Sequence, residues 1–203
     1  MTDPTHEVVL ASASPVRHQL LENAGLAILR DAPHVDEAAL RAEHAKSGPV
    51  DPAGLAGELA RIKAEKISAR HGSRWVIGAD QILSCEGAIV SKPADMAEAR
   101  RQLVFLRGKT HALTSAVAVA RNGRSEWRTV DSARLTMRAF SDAFLDDYLA
   151  MVGGEVTETV GGYKIEGRGL QLFEQVHGDH FTILGLPLLP LVAFLRRNGI
   201  LAV

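Results

Sequence analysis

The sequence holds a single cysteine, Cys85, among 203 residues, so it can form no internal disulfide. That usage fits a reducing cytoplasm, and Cys85 reads as a small buried apolar residue. An excess of one charge is also lacking: 23 basic residues face 24 acidic ones, for a net charge of −1. Duplex binding or an RNA-binding stripe would call for a basic surplus, so both are disfavoured. No apolar run is long enough to cross a bilayer. The richest, Ile183 to Leu195, contains Pro187 and Pro190 and reads as a core segment. Met1 to Glu7 is polar and lacks a signal pattern. Walker loops, a G-x-G-x-x-G after a strand and a nucleophile elbow are all missing. The eight histidines show no metal-ligand spacing. What remains is 46% hydrophobic and 23% charged, enough for a sizeable core, and one domain over residues 1–203 is expected.

Local signals set out the elements. Glu7–Ala11 reads as a strand, followed by a helix capped by Ser14, opened by Pro15 and stopped by Gly25. Leu26–Leu29 returns as a strand, and Ala38–Lys46 is helical in composition. Pro52–His71 is the clearest long helix, ending at Gly72. Trp75–Ile77 reads as a short buried strand that ends in Gly78-Ala79-Asp80. Gln81–Ser84 and Ala88–Val90 flank Glu86-Gly87 as a small hairpin, and a helix from Met96 to Leu106 capped by Asp95 comes next. His111–Ala120 and Ser125–Met137 are strands joined at Asn122-Gly123, a strong hairpin signal. Ser141 caps a helix to Val152, Tyr163–Ile165 reads as a strand, and Leu170–Val176 as one or two helical turns. Pro187–Arg197 is a final helix. The alternation predicts an α/β fold with one mixed, twisted sheet flanked by helices.

Four places could carry chemistry. At Ser12–Arg17 a strand meets a helix start, which offers backbone N–H groups and a positive dipole end to an anion. Ser12 and Ser14 add hydroxyls there, and Arg17 a planar fork for phosphate. Asp36, Glu37 and Asp80 are acids that could hold a hard divalent cation and activate water. Lys63 and Lys92 could neutralise a phosphoryl group. In Gly161–Gly167, flanking glycines permit close approach, and Glu166 could take two parallel hydrogen bonds from a guanine-type edge. Each has an ordinary structural explanation in isolation: a capped helix, loop acids, surface lysines, a solvent-facing acid.

Taken in order, these pieces resemble the Maf family of nucleotide pyrophosphatases. The matching segments are Leu10-Ala11-Ser12-Ala13-Ser14-Pro15-Val16-Arg17, Val35-Asp36-Glu37, Lys63-Ala64, Gly78-Ala79-Asp80-Gln81, Lys92-Pro93, Gly161–Gly167 and Leu184-Gly185-Leu186-Pro187. The resemblance implies an inosine triphosphatase-like fold with two lobes and an active-site cleft between them. It implies hydrolysis of the α–β phosphoanhydride bond of a nucleoside triphosphate, dependence on a divalent metal such as Mg or Mn, a cytoplasmic location, often a homodimer, and a link to septum formation. Asp80, Glu37, Lys63 and Lys92 would be catalytic, with Glu37 and Asp80 as metal ligands. Ser12, Ser14 and Arg17 would bind phosphate. Asp80 would accept a proton or mainly bind metal; both readings stand. Gln81 and Glu166 match the 7-methyl-GTP branch, while Val16 stands where that branch has Trp and the dTTP/UTP branch has Arg. A valine cannot stack on a cationic base, so a guanine-like triphosphate with loose methyl discrimination is expected. A dTTP/UTP pyrophosphatase and a nucleotide-binding regulator of septation are the alternatives.

Overall fold

The computed structural model describes residues 8–46 and 48–202. The first residue of the expected N-terminal strand, Glu7, lies outside them. The sheet is mixed and seven-stranded. Its first strand, β1 (Val8–Ala11), pairs in parallel with both β2 (Ile28–Arg30) and β3 (Trp75–Cys85). The two faces of β1 are both covered by helices, as in parallel sheets generally, which explains four consecutive apolar residues that are all buried. Beyond β3 the order continues through β5 (Thr110–Arg121), β6 (Arg124–Met137) and β7 (Phe173–His177), while β4 (Ala88–Val90) pairs antiparallel with β3.

The chain forms two compact units. One takes the chain through Gln81, together with Thr114–Asp131 and the residues from Asp179 on. The other takes Ile82–Leu113 and Ser132–Gly178. In the first unit the period-two alternation of strand side chains divides two cores. Val8, Leu10, Ile77 and Ala79 face the helices α1 (Pro15–Asn23) and α7 (Leu188–Arg197), through Leu20, Leu21, Leu191, Phe194 and Leu195. Val9, Ala11 and Val76 face Ile67 of α3 (Pro52–His71).

The second unit contains α4 (Met96–Leu106), capped by Asp95, and α5 (Asp142–Val152), capped by Ser141. Three short 3-10 turns come after α5, at Gly153–Thr157, Val160–Gly162 and Arg168–Leu172. The hairpin turns at Glu86-Gly87 and Asn122-Gly123 both place a non-glycine and then a glycine at positive φ, as type I′ turns require.

Three expectations are corrected. Trp75–Ile77 and Gln81–Ser84 are not separate strands: β3 runs unbroken from Trp75 through Asp80 to Cys85, with β5 as its neighbour and β4 paired at Leu83–Cys85. Tyr163–Ile165 is not a strand. The chain doubles back there so tightly that a Cβ on Gly169 would lie 2.5 Å from the Lys164 carbonyl. Leu170–Val176 is not helical throughout, since Phe173–His177 is a strand paired to β6 from Arg134 to Met137. A short helix not anticipated, α6 (His180–Ile183), is capped by Asp179.

Inside the second unit, His111 is buried and its Nε2 sits 2.6 Å from the Tyr163 hydroxyl, while Nδ1 has no partner. Burial lowers the His111 pKa from 6.5 to about 4 and raises that of Tyr163. As pH falls below the unfolded value, the unfolded chain takes a proton that the folded chain refuses. Stability therefore declines as pH falls from 6.5 toward about 4. The contribution amounts to about 3 kcal/mol at about 1.4 kcal/mol per pH unit. Denaturant titrations should show a shallower acid decline for His111→Gln than for the parent; equal declines would exclude this source.

Candidate active site

β1 stops at Ala11, opposite Gly78 of β3, and the chain turns away at Ser12 into α1. β3 runs on, and β4 joins it only from Leu83, so Ala79 presents a backbone carbonyl with no β1 partner. Arg17 Nη1 donates to it at 2.9 Å. The end of β1 beside a strand that runs on is thus where the polar residues of this unit collect.

Strand alternation puts Gly78 and Asp80 on the same face of β3, the one turned to α3. A Cβ at Gly78 would lie 2.3 Å from the Ala60 carbonyl and 2.6 Å from the Ala64 nitrogen, so only glycine admits α3 this close. That approach brings Lys63 against Asp80, and its ammonium donates to Asp80 Oδ1 at 2.6 Å. The same nitrogen lies 2.6 Å from Glu37 Oε1. Lys63 is buried, contrary to the surface position that lysines usually take.

Glu37 opens α2 (Glu37–Ala45) and is part-exposed. Its neighbour Asp36 is occupied otherwise, accepting from the Ala39 N–H at 2.9 Å as the helix cap. Asp80 is 5% exposed, and its Oδ2 is buried without a hydrogen-bond partner. Its pKa is raised: burial is the largest cause, opposed by the charges of Lys63 and Arg17 and aided by Glu37. Desolvation outweighing two cations marks an acid withheld from water.

The first turn of α1 is organised as expected. Ser14 caps it, accepting from the Arg17 N–H at 3.4 Å. Ser12 Oγ accepts from the Ser14 N–H and from Arg17 Nη1, both at 3.2 Å. With both lone pairs engaged, the Ser12 hydroxyl proton is left to donate. Arg17 also donates from Nε to the Gly185 carbonyl at 2.8 Å. Burial pulls its pKa down, while Asp80 and Glu37 push it up. Val16 packs partly buried against the α1/α7 core.

Gln81 comes directly after Asp80 but points to the opposite face of β3. Its Nε2 lies 3.0 Å from Ser115 Oγ, 3.2 Å from the Thr182 carbonyl and 3.0 Å from the Ile183 carbonyl. The amide nitrogen is committed, so the carbonyl end of Gln81 is the end left for a ligand. Ser115 and Thr182 carried no local signal, since buried Ser and Thr in apolar surroundings read as core.

The second unit holds the other two candidates. Lys92 is exposed just after β4, and Glu166 is exposed in the turn between Tyr163 and Gly169. Neighbouring Lys164 is drawn to Glu155 at 3.0 Å and Glu158 at 2.7 Å. Among the described residues, no group of three or more His, Cys, Asp or Glu could hold a metal ion. Nor is any helix among them long and apolar enough to cross a membrane.

The fold is α/β, and a buried acid and ammonium, with a guanidinium acting on the acid through its charge, sit beside the end of β1. Residues 7–198 match the family described as "Maf-like protein", and the chain belongs to that family. It is 51% identical to a "Nucleoside triphosphate pyrophosphatase" of Paramagnetospirillum magneticum, covering 94% of this chain and 98% of that one. It is 47% identical to a "7-methyl-GTP pyrophosphatase" of Mesorhizobium japonicum, over 96% of this chain and 98% of that one. A solved dITP/XTP pyrophosphatase from Mycobacterium abscessus matches with a TM-score of 0.38 at 15% identity, over 66% of this chain and 74% of that one.

The Gly78 contact can be tested apart from any activity. Gly78→Ala should lower unfolding free energy by about 1–3 kcal/mol, the usual cost of overpacking. Chemical denaturation measures this, and an unchanged midpoint would mean that α3 is free to shift.

Proposed function

We propose that the chain is a nucleoside triphosphate pyrophosphatase that hydrolyses the α–β phosphoanhydride bond, giving a nucleoside monophosphate and pyrophosphate. The carrying observation is Asp80: a buried carboxylate held by Lys63, within the field of Arg17, with one oxygen unpartnered. Relatives named for that activity and for 7-methyl-GTP, at 51% and 47% identity, support it.

Water adds to phosphorus as the bridging P–O bond breaks, and the pyrophosphate leaves with the bonding electrons. Asp80 accepts the water's proton, and its raised pKa moves it toward the working pH that suits a general base. Arg17, Ser12 and Ser14 bind phosphate oxygens. Lys63 and Lys92 offset charge that builds in the transition state. Asp80 Oδ2 and Glu37 fit a hard cation such as Mg or Mn, with the remaining ligands coming from water and substrate phosphates. That ion would supply charge neutralisation and orientation. We assign the substrate as guanine-like, through Glu166 and the carbonyl end of Gln81, with Val16 giving loose methyl discrimination. Cytoplasmic location and a homodimer complete the proposal.

Asp80→Asn should lower kcat by about 10²- to 10⁴-fold, the range typical of acid–base groups, with the fold retained by circular dichroism. Pyrophosphate release should need Mg or Mn and stop with chelator. A nucleotide panel should favour guanine triphosphates, and faster turnover of thymidine triphosphate would remove the base assignment. Lys63 lowers the Asp80 pKa, so Lys63→Met should move the acid limb of the kcat/KM profile to higher pH. A limb that stays in place, or moves down, contradicts the role given to Asp80.

A further inference from the structure

The turn after α6 is tied down more heavily than a surface connection needs. Thr182 and Ser115 are fully buried. Thr182 Oγ1 donates to Asp131 Oδ2 at 2.7 Å, and Ser115 Oγ donates to the Thr182 carbonyl at 2.7 Å. Asp179 accepts from the Thr182 N–H at 3.0 Å. The Gly185 N–H returns to the Thr182 carbonyl at 3.1 Å, closing the turn. Gly185 has φ +92, a conformation that favours glycine.

The braced turn ends at the Gly185 carbonyl, which accepts from Arg17 Nε at 2.8 Å. Arg17 Nη1 is held by Ala79 and Ser12 at 2.9 and 3.2 Å. A guanidinium is planar, so acceptors fixed on Nε and Nη1 set the whole fork. Nη2 donates to no acceptor among the described residues and is the nitrogen left for an anion. A Cβ on Gly185 would lie 3.3 Å from both Nε and Nη2, tight against the nitrogens that must stay in place.

We infer that Gly185 is a positioning residue for phosphate binding: its carbonyl, braced by Ser115, Thr182 and Asp131, turns Arg17 so that Nη2 meets the substrate. This rests on the phosphate role proposed for Arg17.

The test is a double-mutant cycle on steady-state pyrophosphate release, using Arg17→Met, Gly185→Ala and the pair. Gly185→Ala should lower kcat/KM by about 10- to 100-fold, as small misplacements of positioning groups do. It should divide between KM and kcat as Arg17→Met does, and the pair should be no slower than Arg17→Met alone. Multiplying losses, or a silent Gly185→Ala, would overturn the inference and leave the function standing. An Arg17→Met enzyme at full rate would overturn the phosphate role, and this inference with it. Gly185→Asn, which tolerates positive φ better, replaces Gly185→Ala if the alanine variant does not fold. If neither folds, Gly185 serves folding and the inference is lost.

Discussion

Withholding the Asp80 carboxylate from water is the constraint that the first unit serves. Burial raises its pKa, Lys63 and Arg17 pull it down, and burial has the larger effect. A buried acid without partners would take up a proton instead of staying charged. Lys63 is what keeps it usable, and Lys63 can reach it only because α3 lies almost in contact with the β3 backbone at Gly78. The twenty-residue length of α3 and its all-buried inner side give that approach its rigidity.

One strand supplies two kinds of group because its side chains alternate. Asp80 goes to the α3 face and Gln81 to the α6 face. Neighbours in sequence therefore sit in different chemistry: Asp80 among cations, Gln81 against carbonyls. Arg17 links the two sides, feeling the Asp80 charge while it bonds to Gly185 beyond α6. The early end of β1 makes this link possible, since it frees the Ala79 carbonyl for the guanidinium.

Much of this was legible locally. Helix caps at Ser14, Asp95 and Ser141, Pro at the first helical positions and the Asn122-Gly123 turn act over three or four residues, and the structure keeps them. What was not legible depends on distant chain. β3 outlasts Gly78 because β5 pairs with it. Phe173–His177 is a strand because β6 is there to receive it. Asp36 and Glu37 look alike in sequence, yet helix geometry spends one on the cap and lets the other reach Lys63. The bond between Arg17 and Gly185 joins positions 168 residues apart, and neither end carries a mark of it.

Charge balance ties the site to the proposed chemistry. Two acids, Asp80 and Glu37, and two cations, Lys63 and Arg17, interact in one cluster and sum to zero when all are ionised. Lys63 lies against both acids, so the buried Asp80 charge is compensated before any ligand arrives. By the same sum the cluster offers a triphosphate no net positive charge. A triphosphate carries several negative charges and cannot settle there by electrostatics alone. A divalent cation brought with the substrate would supply the missing charge, and the unpartnered Asp80 Oδ2 is an oxygen of the kind such an ion takes. The neutrality that lets the folded protein bury these groups is thus also the reason that its proposed reaction calls for a metal.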